Sequence, residues 1–92
     1  MKTYFMFGKY SSESMKSISR ERTKKANEII KKLGGNVVAQ YALLGDNDLV
    51  FIVNLPGIEE VFKASTHLNQ LTSITFSCSP AITVETFDKI LS

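Results

Sequence analysis

Two short apolar segments on either side of a polar corner constrain the fold of this chain most strongly. Residues 36–44 and 48–54 are rich in β-branched and aromatic side chains, and Gly45, Asp46 and Asn47 separate them. This arrangement predicts an antiparallel hairpin. In both segments apolar residues occupy odd and even positions alike, with Val37, Ala39, Tyr41 and Leu43 on one face of the first strand and Val38, Ala42 and Leu44 on the other. In a sheet with one solvent-exposed face, the strands alternate between apolar and polar residues. The present pattern therefore predicts a sheet that is covered on both faces.

The residues before the hairpin predict one more strand and a long helix. Alternating aromatic positions favour a strand over residues 2–10 that is apolar on both faces. A hydroxyl cap at Ser11 and Ser12 then favours a helix start. The helix is expected to run to Gly34 and Gly35, with a break near Ser19, along one stripe spaced by three and four: Met15, Ile18, Arg22, Ala26, Ile29, Ile30 and Leu33.

The residues after the hairpin repeat the same unit and add a short helix. A second helix is predicted after Pro56 and Gly57, with its apolar stripe formed by Ile58, Val61, Phe62, Ser65, Leu68 and Leu71. Alternation over residues 73–79 predicts a half-buried strand that Pro80 closes. Thr83 is expected to cap a C-terminal helix whose shared face carries Val84, Phe87, Ile90 and Leu91.

The order of these elements is β-α-β-β-α-β followed by a helix, which predicts a ferredoxin-like α+β fold with a four-stranded antiparallel sheet. All 92 residues are expected to form a single domain. Since both helices of this fold lie on one face of the sheet, the second apolar face needs a cover. A homodimer formed through that sheet face is the main expectation. The alternative is that the C-terminal helix folds under the sheet and covers it alone.

Composition restricts the setting of the protein. The longest apolar runs are far shorter than the roughly 20 residues of a membrane span, so no membrane segment is expected. The opening residues lack a signal-peptide pattern, and the single cysteine, Cys78, permits no internal disulfide. These features favour a reducing cytoplasm.

The acidic corner, the single histidine and the single cysteine are weak candidates for catalytic or metal-binding residues. Asp46 and Asp48 are too few for a calcium loop, so Asp46 and Asn47 are expected to supply turn geometry, through positive φ or local hydrogen bonds. Asp48 is expected either to anchor structure or to belong to a site. His67, the only histidine, is predicted on the solvated side of its helix, and Cys78 as a small buried hydrophobe. No metal site and no cofactor are expected.

Three tyrosines and a lysine are the better candidates for a ligand site. Tyr4, Tyr10, Tyr41 and Lys9 lie on or beside the predicted sheet, and tyrosine hydroxyls need partners when they are buried. Such groups could bind a phenolic molecule and stabilise its anion. Ordinary strand packing, with the hydroxyl groups reaching the rim of the sheet, is the favoured alternative, because no general base stands beside these residues.

The first helix is strongly basic, which suggests a polyanion partner. It carries Lys16, Arg20, Arg22, Lys24, Lys25, Lys31 and Lys32. Phosphate contacts come from such clusters. The pairs Glu21–Lys25 and Glu28–Lys32 at i, i+4 favour instead a self-paired, solvated face, so nucleic-acid binding is the less favoured interpretation.

The chain resembles the GYD-domain family of small bacterial and archaeal proteins. The resemblance extends from Gly8-Lys9-Tyr10 through Leu33-Gly34-Gly35 and Leu44-Gly45-Asp46-Asn47-Asp48 to Phe87. The family signature at the hairpin corner is a Gly, an aromatic residue and an Asp. Gly45 and Asp48 match it, and Asn47 stands where Tyr is usual.

This resemblance implies a dimeric α+β barrel, in which two ferredoxin-like sheets close on each other. Wider structural relatives include cofactor-free monooxygenases, isomerases, haem-degrading enzymes and effector-binding domains, so the fold does not choose an activity. The resulting expectation is a dimeric ligand-binding or interaction module, with Lys9, Tyr10, Tyr41 and Asp48 as ligand-binding candidates. The alternatives are a cofactor-independent monooxygenase or isomerase for a small aromatic molecule, and a nucleic-acid binder.

Overall fold

The computed structural model describes residues 1–92 and has the predicted α+β architecture. Its four-stranded antiparallel sheet has the strand order β2-β3-β1-β4, which is the ferredoxin-like order. No helix is both long and apolar enough to cross a membrane. The elements in chain order are β1 Lys2–Lys9, α1 Ser12–Lys16, α2 Arg20–Lys32, β2 Asn36–Ala42, β3 Leu49–Leu55, α3 Ile58–Thr72, β4 Thr75–Ala81 and α4 Val84–Leu91.

The expected break in the first helix is confirmed. The side chains of Ser11 and Ser19 accept hydrogen bonds from the backbone at the start of α1 and α2, so each helix has its own cap. The interruption changes the direction of the stripe. Met15 and Ile18, expected to be buried, are instead 52% and 59% exposed, whereas Ala26 and Ile30 are buried as predicted.

One face of the sheet packs on α2 and α3 and forms the core. Tyr4 and Met6 of β1 pair with Val53 and Phe51 of β3, and all four side chains are buried beneath the helices. The helices contribute Ala26 and Ile30 from α2 and Val61, Ala64 and Leu68 from α3. Together with Leu49, Leu55 and Ile74 they complete one cluster of twelve buried residues.

The opposite face, called the open face below, has no covering element. Its apolar centre consists of Phe5 and Phe7 on β1, Val50 and Ile52 on β3, and Val38, Ala39 and Tyr41 on β2. The rings of Phe5 and Phe7 lie 6.2 Å apart. Exposed Ser77 and Ser79 on β4 and a hydrogen bond from Thr3 Oγ1 to Asn54 Oδ1 form its polar border.

A β-bulge makes the faces of β2 differ from the predicted ones. Val37 pairs with Val53 on the helix face, but the register shifts between Val37 and Ala39. Ala39 and Tyr41 therefore lie on the open face, although their spacing placed them with Val37. An extra residue in a strand exchanges the two faces of every position after it.

The end of β4 also differs from expectation. Pro80 lies inside the strand and pairs with Tyr4 rather than closing the strand. Because β4 is an edge strand, the missing N–H of proline can face away from the ladder.

Helix α4 does not cover the open face, so the alternative of an intramolecular cover is wrong. None of its residues is buried, and Val84, Phe87, Ile90 and Leu91 are 50–73% exposed. The protein is accordingly elongated, with principal dimensions of 48 × 30 × 19 Å.

Candidate functional site

Two adjoining cavities form a cleft between the start of α2 and the sheet. The inner cavity measures about 50 Å³ and the outer about 220 Å³. Tyr10, Thr23, Leu49 and Phe51 line both of them. The floor is the apolar sheet, and the roof is the first turn and a half of α2. The inner cavity reaches Leu68, Thr72, Ile74 and Phe76, while the outer cavity opens along β2 at Gln40, Tyr41 and Ala42.

A stacked pair of Tyr10 and Arg22 forms one wall of the cleft. The guanidinium carbon of Arg22 lies 5.6 Å from the centre of the Tyr10 ring, a cation–π distance. Nη1 of Arg22 also donates a hydrogen bond to the backbone oxygen of Ser14. These contacts hold a half-buried guanidinium at the cleft and leave further N–H groups for a ligand.

Asp48 anchors the hairpin corner to the end of β1. Its Oδ2 accepts a hydrogen bond from the backbone N–H of Tyr10 at 2.8 Å. Its own N–H donates to the oxygen of Gly8 at 2.8 Å, and its carbonyl accepts from the N–H of Leu43 at 2.8 Å. The carboxylate thus fixes the backbone from which the Tyr10 ring enters the cleft. It does not line the cleft itself.

The rest of the corner is built differently from expectation. Gly45 alone among the corner residues adopts a positive φ, of +133°. Asp46 is exposed, Asn47 is half-buried, and neither side chain makes a hydrogen bond. The expected contribution of these two side chains to the turn is therefore absent.

The structure separates Lys9 and the three tyrosines. Tyr10 and Tyr41 line the cleft, and Tyr41 also belongs to the open face, where it pairs with Val50. Lys9 is exposed at the end of β1 on the open-face side and lines neither cavity. Tyr4 is a core residue.

Sequence reasoning missed Arg22, Thr23 and Gln40. Arg22 had a usable signal, since it is a charged residue within an otherwise apolar helical stripe. Gln40 had none, because only the bulge places it on the helix face beside the cleft.

The charge of the cleft is positive. Arg22 is the only charged residue among those lining the two cavities, and no carboxylate lines them. The predicted ion pairs Glu21–Lys25 and Glu28–Lys32 are absent, since the only ion pair in the structure joins Lys89 to Glu85 at 3.4 Å. Exposed pairs of this kind contribute little free energy, so solvated side chains can stay apart.

The remaining reactive side chains lie elsewhere. His67 is exposed on α3, as predicted. Cys78 is half-buried on β4, where burial raises the pKa of its thiol and a hydrogen bond with Ser65 partly offsets that effect. No three His, Cys, Asp or Glu side chains lie close enough together to hold a metal ion.

Comparison with known families gives one match, which covers nearly the whole chain. A family model described as the GYD domain matches residues 4–91. No curated protein matches the chain.

Solved structures show a similar fold at low sequence identity. The leucine response regulatory protein of Mycobacterium tuberculosis matches with a TM-score of 0.59 and 8% identity, over 89% of this chain and 51% of that one. An AsnC family transcriptional regulator from Agrobacterium tumefaciens matches with a TM-score of 0.58 and 23% identity, over 88% of this chain and 50% of that one. The present chain thus spans about half the length of these proteins, and the likeness is one of fold.

Proposed function

The chain belongs to the GYD domain family, and from its geometry we propose that it is a module that binds a small organic molecule and works as a homodimer. The cleft beneath α2 carries the proposal. Polar groups from three parts of the chain lie around its apolar floor: Tyr10 after β1, Arg22 and Thr23 on α2, and Gln40 on β2. Ligand sites combine an apolar surface with a few convergent polar groups in this way.

The size and charge of the cleft favour a small anionic or aromatic ligand. Drug-sized ligands occupy cavities of about 300–1,000 Å³. The outer cavity, at about 220 Å³, suits a smaller molecule. Arg22 lines the adjoining inner cavity and offers a fork of N–H donors that matches a carboxylate. The rings of Tyr10 and Phe51 offer flat apolar surface next to it.

The homodimer is supported by the open face. The facing pairs Phe5–Ile52 and Phe7–Val50 form its middle, where Val50 is buried and the other three side chains are half-buried. Val38 and Tyr41 beside them are exposed, and no helix of the same chain packs on this face. Large exposed apolar patches mark interaction sites. A second copy of the same face would cover them with a self-complementary contact.

The other candidate functions gain no comparable support. A general base would have to stand in the cleft, but Asp48 is bonded to a backbone N–H and His67 is remote on α3. On α2, the exposed Glu21 and Glu28 are interspersed with the lysines that a nucleic acid would contact. The likeness to transcriptional regulators is one of fold and carries no part of the proposal.

Ligand binding is tested by NMR titration of the isotope-labelled protein with benzoate and 4-hydroxybenzoate, and with benzylamine as a cationic comparison. We expect the two anions to shift the amide signals of Tyr10, Thr23 and Gln40 at millimolar concentration, and benzylamine to shift them less because Arg22 repels it. The variant Thr23→Trp places a large ring in both cavities and should abolish these shifts.

The matched control is Thr66→Trp, which adds the same ring to an exposed position on the outside of α3. It should leave the titration unchanged. Absence of shifts at the cleft with all three probes, or equal shifts in both tryptophan variants, would contradict the proposed ligand site.

A further inference from the structure

One helix and one groove of this chain have no partner within it. We propose that helix α4 of one copy packs into the groove between α3 and β4 of a second copy. The inference rests on the homodimer of the proposed function and adds to it a contact outside the open face. It would also bury the apolar side of α4, which its own chain leaves exposed.

Helix α4 has a well-defined apolar side. At 100° per residue, Ile90, Phe87, Leu91 and Val84 fall within an arc of about 120°, the width of a core-facing stripe. All four are exposed. The ion pair between Glu85 and Lys89 lies on the other side of the helix. An isolated helix of this length is marginal in water, so the stripe needs a surface to pack against.

Only the start of α4 lies beside the rest of its own chain. Thr83 and Thr86 line a space of about 660 Å³ whose other walls are the first residues of β1 and the end of β4. None of the four apolar residues of the stripe lines that space. The apolar stripe therefore has no packing partner in its own chain, in which no residue of α4 is buried.

The capped turn before α4 fixes the direction in which the helix leaves the sheet. Thr83 has an extended backbone, with φ −67° and ψ 153°, and its side chain accepts a hydrogen bond from the N–H of Thr86 at 3.1 Å. Only Ile82 and Thr83 separate β4 from α4. Folding the helix back onto its own α3 would require this capped turn to reverse.

The groove between α3 and β4 offers apolar surface of matching size. It measures about 240 Å³, and five of its six lining residues are apolar: Ile58, Val61, Phe62, Phe76 and Cys78, with Ser65 as the sixth. Ile58 and Phe62 stand one turn apart on α3 and are 56% and 72% exposed. The groove lies beside α3 on edge strand β4, where no other element of the same chain covers it.

The area of the open face indicates that a second contact is needed. Four strands about 4.8 Å apart and about seven residues long cover a footprint of roughly 450 Å². A stable specific interface buries about 800 Å² on each partner. Since Ser77, Ser79 and the Thr3–Asn54 pair make the border polar, the apolar share of the footprint is smaller still. Two symmetric α4 contacts would supply the missing apolar area.

A lipid surface fits α4 less well than a protein groove. Interfacial helices carry lysine and arginine on their polar side. Helix α4 has Glu85, Asp88 and Lys89 there, which is one negative charge in net. The lining of the groove, in contrast, contains no charged residue that would bind a lipid head group.

The native Cys78 in the groove makes a direct test possible, because it is the only cysteine of the chain. A second cysteine is placed on the apolar side of α4 by Val84→Cys or Ile90→Cys, and on its polar side by Glu85→Cys or Lys89→Cys as matched controls. Each full-length variant is treated with a short bifunctional maleimide and analysed under denaturing conditions. We expect covalent dimers from the two apolar-side variants, at least about tenfold more than from the controls if docking holds one face against the groove.

Three results would overturn the inference. Dimers that persist when Cys78→Ser is added would show that α4 contacts another α4 and not the groove. A cross-linked monomer would show that α4 folds onto its own chain. Equal yields on both sides of α4 would show that it has no fixed partner. Sedimentation of the wild-type chain separates this inference from the proposed function, since a wild-type monomer removes both, whereas a dimer without these cross-links removes only the α4 contact.

Discussion

Asp48 shows how a single side chain connects a surface turn to the candidate site. Its carboxylate accepts the N–H of Tyr10, and its backbone is bonded to Gly8 and Leu43, so three chain segments meet at one residue. Asp46 stands two positions away on the same corner and bonds to nothing. The two aspartates are alike in the sequence, and their roles differ because only Asp48 lies beside the end of β1.

Replacing Asp48 should therefore destabilise the protein, whereas replacing Asp46 should not. Asp48→Ala leaves the half-buried N–H of Tyr10 without an acceptor, which costs about 1–3 kcal/mol of unfolding free energy. Asp48→Asn keeps an oxygen in place and should cost less. Urea unfolding followed by circular dichroism measures all three variants, with Asp46→Ala expected within about 0.5 kcal/mol of wild type. Equal losses for both alanine variants would argue against the anchoring role.

At the scale of the elements, the two glycines after α2 have different tasks. Gly34 adopts a left-handed φ of +86° and ends the helix, as the sequence indicates. Gly35 allows close packing, because a Cβ atom built there would overlap the backbone oxygen of Asn54 and lie 2.7 Å from the Leu55 side chain. The chain thus crosses from α2 to β2 in direct contact with β3.

Gly35→Ala should consequently be more harmful than its small size suggests. The oxygen it meets belongs to the backbone of β3 and cannot rotate away, so the strands must separate. We expect a loss of about 2–3 kcal/mol or more, as for overpacked cores. Gly57→Ala is the matched control, since its added methyl group would meet only the Glu60 side chain at 3.6 Å. Thermal unfolding of both variants compares them, and a Gly35→Ala protein as stable as the control would contradict the contact.

Local pattern predicted the order and type of every element, the break near Ser19 and the two apolar faces of the sheet. It did not predict the faces of β2 beyond Val37, because a bulge is a tertiary adjustment that leaves no mark in the spacing. Gln40 was missed for the same reason, since it reaches the cleft between sheet and helices only through the bulge. Tyr10 and Tyr41 were found because an aromatic ring with a polar tip is conspicuous beside a strand. Long-range contacts such as that from Asp48 to Tyr10 have no local signal at all.

At the scale of the whole molecule, three apolar surfaces have no partner element in the same chain. These are the open face, the apolar side of α4 and the groove between α3 and β4. Tyr41 links the open face to the candidate site, because it lines the cleft and pairs with Val50.

The decisive substitution at this scale is Ile52→Lys at the centre of the open face. Ile52 faces Phe5 on one side and Ala39 on the other, so a partner sheet would bury the new ammonium group among apolar side chains. In the monomer the same lysine can extend into water, and the fold should survive. Gln70→Lys adds an equal charge on the exposed side of α3 and should leave association unchanged. Sedimentation at micromolar concentration is expected to show dimers for wild type and Gln70→Lys, and folded monomers for Ile52→Lys. A folded Ile52→Lys protein that still dimerises as tightly as wild type would place the interface elsewhere.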